Sequence, residues 1–207
     1  MLSCDMVKEV VSEKVTCLEE EYKNVQGLIL SESDLKCLIY RKLYDCFYNP
    51  QSTIDRNIKS IPIHTEIPWY DEKEKLTIRP DITILNPKNI SITRGVSIRL
   101  KQGKLIYGNL PSKGFEFSGP AVVLEIKFNK NKTGITKSNV KKFQDDVTKM
   151  LKLAKRRNRP REDKDVFGIL IIFNKTNKYV EEFKRFRDQY SKNPCLHIIY
   201  CTGNVAF

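Results

Sequence analysis

The sequence has little of what marks several protein classes. No stretch approaches the roughly 20 consecutive apolar residues that cross a bilayer. The N-terminal MLSCDMVKEVV carries acids and a lysine where a secretory signal has a basic start and an apolar block. The expectation is a soluble, cytoplasmic chain with no membrane partner. Six cysteines (Cys4, Cys17, Cys37, Cys46, Cys195 and Cys201) fall at no C-x-x-C spacing, which argues against zinc. Four of them lie in segments that read as helical or apolar, which favours buried free thiols over disulfides. Nine Gly and nine Pro follow no period, which excludes collagen-like and repeat architectures.

What is present suits one globular domain spanning residues 1–207. Of these 207 residues, 40% are hydrophobic and 10% aromatic, enough to bury a core and too even for a disordered tail. Lys and Arg number 37 against 25 Asp and Glu, a net charge of +12. Its location matters more than its total. From Lys127 to Arg161 there are thirteen Lys or Arg and two acids, Asp145 and Asp146, so nearly all the excess lies in one sixth of the chain. Such a block is either a solvated face or a face that binds a polyanion.

Apolar spacing predicts a helix over 5–23 through Met6, Val10, Val11, Val15, Leu18 and Tyr22. A second helix over 31–47 begins at a capping box, Ser31-Glu32-Ser33-Asp34, with Leu30 and Leu35 as its hydrophobic staple, and stops at Asn49-Pro50. Two strands, IPIHTEIPWY and LTIRPDITIL, then form a hairpin around a charged turn at 71–75. Residues 86–119 read as an inserted hairpin or loop excursion. AVVLEIKF (121–128) and VFGILIIFN (166–174) are strands covered on both faces, joined by a basic helix over about 138–157. A helix near 178–191 and a last strand, LHIIYC, complete an α/β fold with a mixed central sheet and helices on both sides.

A strand covered on both faces should be uniformly apolar, yet this one carries Glu125 and Lys127. Strand alternation puts Val123, Glu125 and Lys127 on one face and Leu124, Ile126 and Phe128 on the other. A plain ion pair rarely repays its desolvation. A hydrated metal site would account for both charges. The neighbouring strand supplies Asp81, on the same face as Arg79 and Thr83. Two carboxylates from adjacent strands make the all-oxygen site Mg²⁺ accepts while keeping several waters, and a nearby lysine can orient an attacking water.

Pro80-Asp81 followed by Glu125-Ile126-Lys127 resembles the PD-(D/E)xK nuclease superfamily, whose fold is restriction-endonuclease-like. An acid two residues before a lysine occurs six times, at Glu21, Asp34, Asp71, Glu125, Glu162 and Glu182. Only the Glu125 instance lies in a predicted core strand, and Pro-Asp occurs once, also on a predicted strand. The predicted order over about 31–175 is similar to that superfamily's αβββαβ core. An N-terminal helix, the 86–119 insertion and a C-terminal helix and strand would be additions to it.

The resemblance implies that Asp81, Glu125 and the Ile126 carbonyl hold Mg²⁺, with Mn²⁺ as the other candidate, and that Lys127 orients water or offsets charge. It also implies an acid from the first core helix. Glu32 matches, although an acid in a first turn also suits the helix dipole. Glu66 on the hairpin is the competing carboxylate. Gln144 matches a polar position in the helix after the lysine strand. An upstream histidine ligates metal in some viral cap-snatching relatives, but His64 sits on a predicted strand, and both it and His197 are expected to be structural. Lys130, Lys132, Lys137, Lys141 and Lys142 follow at once and are candidates for phosphate contacts, which position a substrate without reading its bases.

The expectation is therefore a metal-dependent endonuclease acting on DNA. The alternatives are a non-cleaving nucleic-acid-binding module of the same fold, a junction- or RNA-specific nuclease, or a basic face for an acidic surface with a purely structural ion pair. Cutting both strands would need two sites, hence a possible homodimer.

Overall fold

The computed structural model describes residues 3–55, 57–70, 76–92, 96–101, 104–109, 115–117, 119–157 and 166–205. Helix α1 (Cys4–Asn24) starts where Ser3 accepts the Met6 N–H and buries Val7, Val11, Val15, Leu18 and Tyr22. Met6, expected on that stripe, is exposed, and the apolar phase runs through Val7 instead. Helix α2 (Glu32–Phe47) opens on the expected capping box, with Ser31 Oγ accepting the Asp34 N–H and the Asp34 carboxylate accepting the Ser31 N–H. The Leu30–Leu35 staple does not form. Leu30 is 72% exposed, and Ile29 turns inward in its place.

Strands β1 (Gln51–Ser52) and β2 (Lys59–Ser60) pair with each other. The two long strands expected between residues 61 and 85 are each broken, into β3 (Ile63–Thr65) and β4 (Trp69–Tyr70), then β5 (Leu76–Ile78) and β6 (Ile82–Leu85). β3 pairs with β6 and β4 with β5, so the hairpin exists but is divided between two ladders. The intervening residues explain the break. Pro68 and Pro80 have no N–H for a ladder, and Glu66 takes a left-handed φ of 52°. The turn at 71–75 lies outside the described residues.

The excursion after β6 comprises β7 (Ile90–Ser91), β8 (Val96–Lys101), β9 (Lys104–Asn109) and β10 (Glu116–Phe117); β8 pairs with β9 and β10 with β7. The two apolar runs become β11 (Ala121–Asn129) and β12 (Val166–Asn174), with α3 (Lys137–Arg157) between them. Helix α4 (Glu181–Tyr190) leads to the last strand, β13 (Leu196–Thr202).

The result is a mixed five-stranded sheet in the order β13-β12-β11-β6-β3 flanked by helices. β11, β12 and β13 are parallel, while β6 is antiparallel to β11 and β3 to β6. Val122, Leu124 and Ile126 of β11 pack with α1 and α2, and Ala121 and Val123 pack with α3 and α4. With helices on both faces, all nine residues of β12 are buried, which is why its sequence shows no alternation. Cys201 is buried as expected, whereas Cys17, Cys37 and Cys46 are exposed on helices α1 and α2. Among the described residues no helix is long and apolar enough to cross a membrane.

Candidate active site

The site grows from a fork in the sheet. β6 pairs with β11 only from Ala121 to Leu124, while β11 runs on to Asn129 against β12 alone. Pro80 cannot donate to a ladder, and the strand leaves the sheet at Asp81. β11 thus has open backbone donors on its β6 side. The Asp81 carboxylate accepts the Ile126 N–H at 2.7 Å, and Glu32, the first residue of α2, accepts the Phe128 N–H at 3.4 Å. An antiparallel strand residue exchanges its N–H and C=O with the same neighbour, so the Ile126 carbonyl opens into the fork as well.

Glu125 and Lys127 leave β11 on the α3 face. Lys127 Nζ lies 2.8 Å from Glu125 Oε1 and 3.0 Å from Asp146 Oδ2 of α3. Burial, then the nearby Asp81 charge, pushes the Glu125 carboxyl up to about 7 against the opposing pull of Lys127. Burial works against the Lys127 ammonium, but Glu125 and Asp146 outweigh it and raise its pKa, so the lysine stays charged. Across the fork, Lys36 of α2 lies 2.7 Å from Asp81 Oδ1 and 3.2 Å from Glu32 Oε1. The least exposed members are acids. Asp81, Glu125 and Asp146 are 9%, 11% and 14% exposed, against 32% and 50% for Lys36 and Lys149. Lys127, at 22%, lies between these groups, and Glu32, at 41%, is the outlying acid.

Two clefts flank this cluster. A cleft of about 350 Å³ on the α3 side is bordered by Glu32, Lys127, Asn129, Lys142, Asp146 and Lys149. A smaller one of about 270 Å³, between α2 and β3, is bordered by Lys36, Tyr40, Thr65, Glu66 and Asp81.

Of the residues singled out in the sequence, Asp81, Glu125, Ile126, Lys127 and Glu32 meet at the fork. Glu66 lies beside it, its backbone N–H donating to the Asp81 carbonyl at 3.2 Å, with its side chain on the smaller cleft. Gln144 does not reach the cluster. It is exposed on α3, where its carbonyl accepts the Thr148 hydroxyl, and Asp146 takes the inward place. His64 sits in β3 opposite Thr83, its Nε2 buried without a hydrogen-bond partner and its pKa pushed down by burial. His197 lies on β13 opposite Ile169, three strands from β6.

The proposed phosphate lysines divide between two faces. Lys142 borders the larger cleft, whereas Lys137 pairs with Glu182 of α4 at 2.6 Å, and Lys141, one turn on, shares that side. Lys130 and Lys132 are exposed in the loop after β11. Residues 158–161 of the basic block lie outside the described residues.

Sequence reasoning missed Lys36, Asp146 and Lys149. Lys36 had a signal in its i,i+4 spacing from Glu32, and Asp146 had one as a member of the acidic pair Asp145-Asp146 within a basic helix.

Among the described residues no group of three or more His, Cys, Asp or Glu side chains forms a metal cage. The donor set at the fork is smaller: the Asp81 carboxylate just before β6, the Glu125 carboxylate on β11 and the Ile126 carbonyl. That fits a hard divalent ion that keeps most of its waters, as Mg²⁺ does. Comparison with protein-family models, with curated proteins and with solved structures finds no match to this chain.

Proposed function

We propose that this chain is a metal-dependent endonuclease of the PD-(D/E)xK type, acting on DNA, and that its α2-β3-β6-β11-α3-β12 order is a restriction-endonuclease-like core. The observation that carries this reading is the convergence of Asp81, Glu125 and Lys127 at the point where β6 leaves β11, with Glu32 beside them. A structural ion pair requires Lys127 and one acid, not a further buried carboxylate, Asp81, whose charge adds to the burial that raises Glu125 to about 7.

Asp81, Glu125 and the Ile126 carbonyl would hold Mg²⁺ or Mn²⁺, which when bound polarises the phosphodiester and offsets its charge. The rest is the work of this chain's own side chains. Asp146 fixes the Lys127 ammonium from one side and Glu125 from the other, so Nζ is held charged at the floor of the larger cleft. From there it donates to the water or to a non-bridging phosphate oxygen as negative charge grows. Lys142 and Lys149 on the cleft wall take neighbouring phosphates and align the backbone across Lys127.

Conversion of supercoiled plasmid to nicked or linear forms in Mg²⁺ or Mn²⁺, absent in EDTA, tests the reading. Asp81→Ala and Glu125→Ala should each reduce the rate by at least about 100-fold. Tight, salt-sensitive binding with no cleavage under either metal would overturn it in favour of a binding module. Linear duplex, a four-way junction and single-stranded RNA run in parallel identify the substrate.

A further inference from the structure

At the fork, each of two carboxylates uses one oxygen on the β11 backbone and turns the other toward a single ammonium group. Asp81 accepts Ile126 N–H through Oδ2 and faces Lys36 through Oδ1; Glu32 accepts Phe128 N–H through Oε2 and faces Lys36 through Oε1. The 2.7 Å backbone contact holds the Asp81 carboxylate, and the longer 3.4 Å contact orients Glu32, so their remaining oxygens meet at one cation. In this structure that cation is Lys36 Nζ.

We infer that Lys36 is a built-in counter-cation that competes with the divalent ion for Asp81 and must swing away when the ion binds. This rests on the metal-dependent reading above. Three features support displacement over permanent pairing. Lys36 is 32% exposed, on a flexible four-carbon stem, whereas Asp81 is 9% exposed and held by the strand. The smaller cleft beside it is open, so the ammonium has space to enter. Glu66 borders that cleft and supplies a second acid on the far side from β11. Without metal, Lys36 neutralises carboxylates that would otherwise repel one another; with metal, its charge is surplus. Lys127 is also paired with two acids but starts from the strand β11 and is less exposed, at 22% against 32% for Lys36.

The test uses the full chain and Mn²⁺ alone, with affinity measured by electron paramagnetic resonance of the free ion and no nucleic acid present. Lys36→Met and Lys36→Gln remove the competing charge, and both should bind Mn²⁺ about ten-fold more tightly than the wild type. In the unaltered protein, amine acylation read by mass spectrometry should modify Lys36 several-fold faster when Mn²⁺ is saturating, while Lys127 is not accelerated. The labelling arm decides if neither variant folds. Wild-type Mn²⁺ binding with unchanged or weaker affinity in the folded variants, or with no change in Lys36 labelling, overturns the role of Lys36 and leaves the metal site standing. No Mn²⁺ binding by any folded form overturns the metal-dependent reading and this inference with it.

Discussion

The Asp81 carboxylate stands where the next residue of a continuing β6 would stand, accepting the Ile126 N–H at 2.7 Å. One side chain thus has two separable roles, closing an open backbone donor and presenting charge to the fork. Asp81→Asn keeps an acceptor for Ile126 and removes the charge, whereas Asp81→Ala leaves the donor unsatisfied. The alanine form should be less stable than the asparagine form by about 1–3 kcal/mol in urea unfolding, while both lose cleavage. Equal stabilities would show that the Ile126 contact contributes nothing.

Glu125 gives the metal-free protein a pH signature. Its carboxyl titrates at about 7 in the fold, above the ordinary 4.5, so the folded state holds the proton more tightly than the unfolded chain. The resulting stabilisation is complete below about 4.5 and is lost as pH rises through about 7, a change of about 3 kcal/mol. Glu125→Gln cannot lose that proton. In EDTA it should melt at a higher temperature than the wild type at pH 8, and the gap should close at pH 5. A gap that does not vary with pH would assign the stability difference to packing.

Gly134 anchors the loop between β11 and α3. It has φ +81°, and an added Cβ would lie 1.9 Å from the Lys178 carbonyl oxygen, which also accepts the Ile135 N–H. Neither the backbone nor that hydrogen-bonded carbonyl has room to yield. Gly134→Ala should cost at least about 2 kcal/mol by urea unfolding, through left-handed strain and the lost bridge to Lys178. A loss below about 0.5 kcal/mol would mean the loop repacks freely.

The fold and half of the site were legible because strand and helix periods are local. The runs at 121–128 and 166–174 read as strands, and β11 parity alone placed Glu125 and Lys127 on one face, where the structure has them. Glu32 was legible through the Ser31 cap that fixes the start of α2. Gln144 failed for a tertiary reason. The inward stripe of α3 is Val140, Phe143, Val147 and Met150, and which flank of that stripe borders the fork depends on how the crossover lays α3 across the sheet. That flank carries Asn139, Lys142, Asp146 and Lys149, leaving Gln144 in solvent. Lys36 was legible only as the i,i+4 partner of Glu32, since nothing in α2 says that its start lies over the end of β6. The breaks at Pro68 and Pro80 were legible in principle, because neither can donate to a ladder.

Asp146 acts through Lys127 and not on substrate, so its loss should differ from loss of a metal ligand. Asp146→Asn keeps a hydrogen-bond acceptor for Lys127 but removes the charge that, with Glu125, holds the ammonium in place. The expected result is a kcat lowered by about ten-fold with KM unchanged and Mn²⁺ affinity retained. Asp146→Glu should recover part of the rate. A KM effect alone would make Asp146 a substrate-binding residue through Lys149, its other partner at 3.1 Å.

The division of the basic helix into two flanks makes the charge argument specific. Lys142 and Lys149 border the cleft over Lys127, while Lys137 is committed to Glu182 on α4 and Lys141 shares its side. If the cleft holds the nucleic-acid backbone, Lys142→Glu and Lys149→Glu should weaken binding of a short duplex and each lower the slope of log affinity against log salt by about one. Lys137→Glu should have a clearly smaller effect on both, because Lys137 faces α4 and not the cleft. Filter binding across 50–200 mM salt reads both quantities. Equal losses from all three variants would mean that the helix attracts polyanions through its total charge, and that the cleft over Lys127 does not orient the strand.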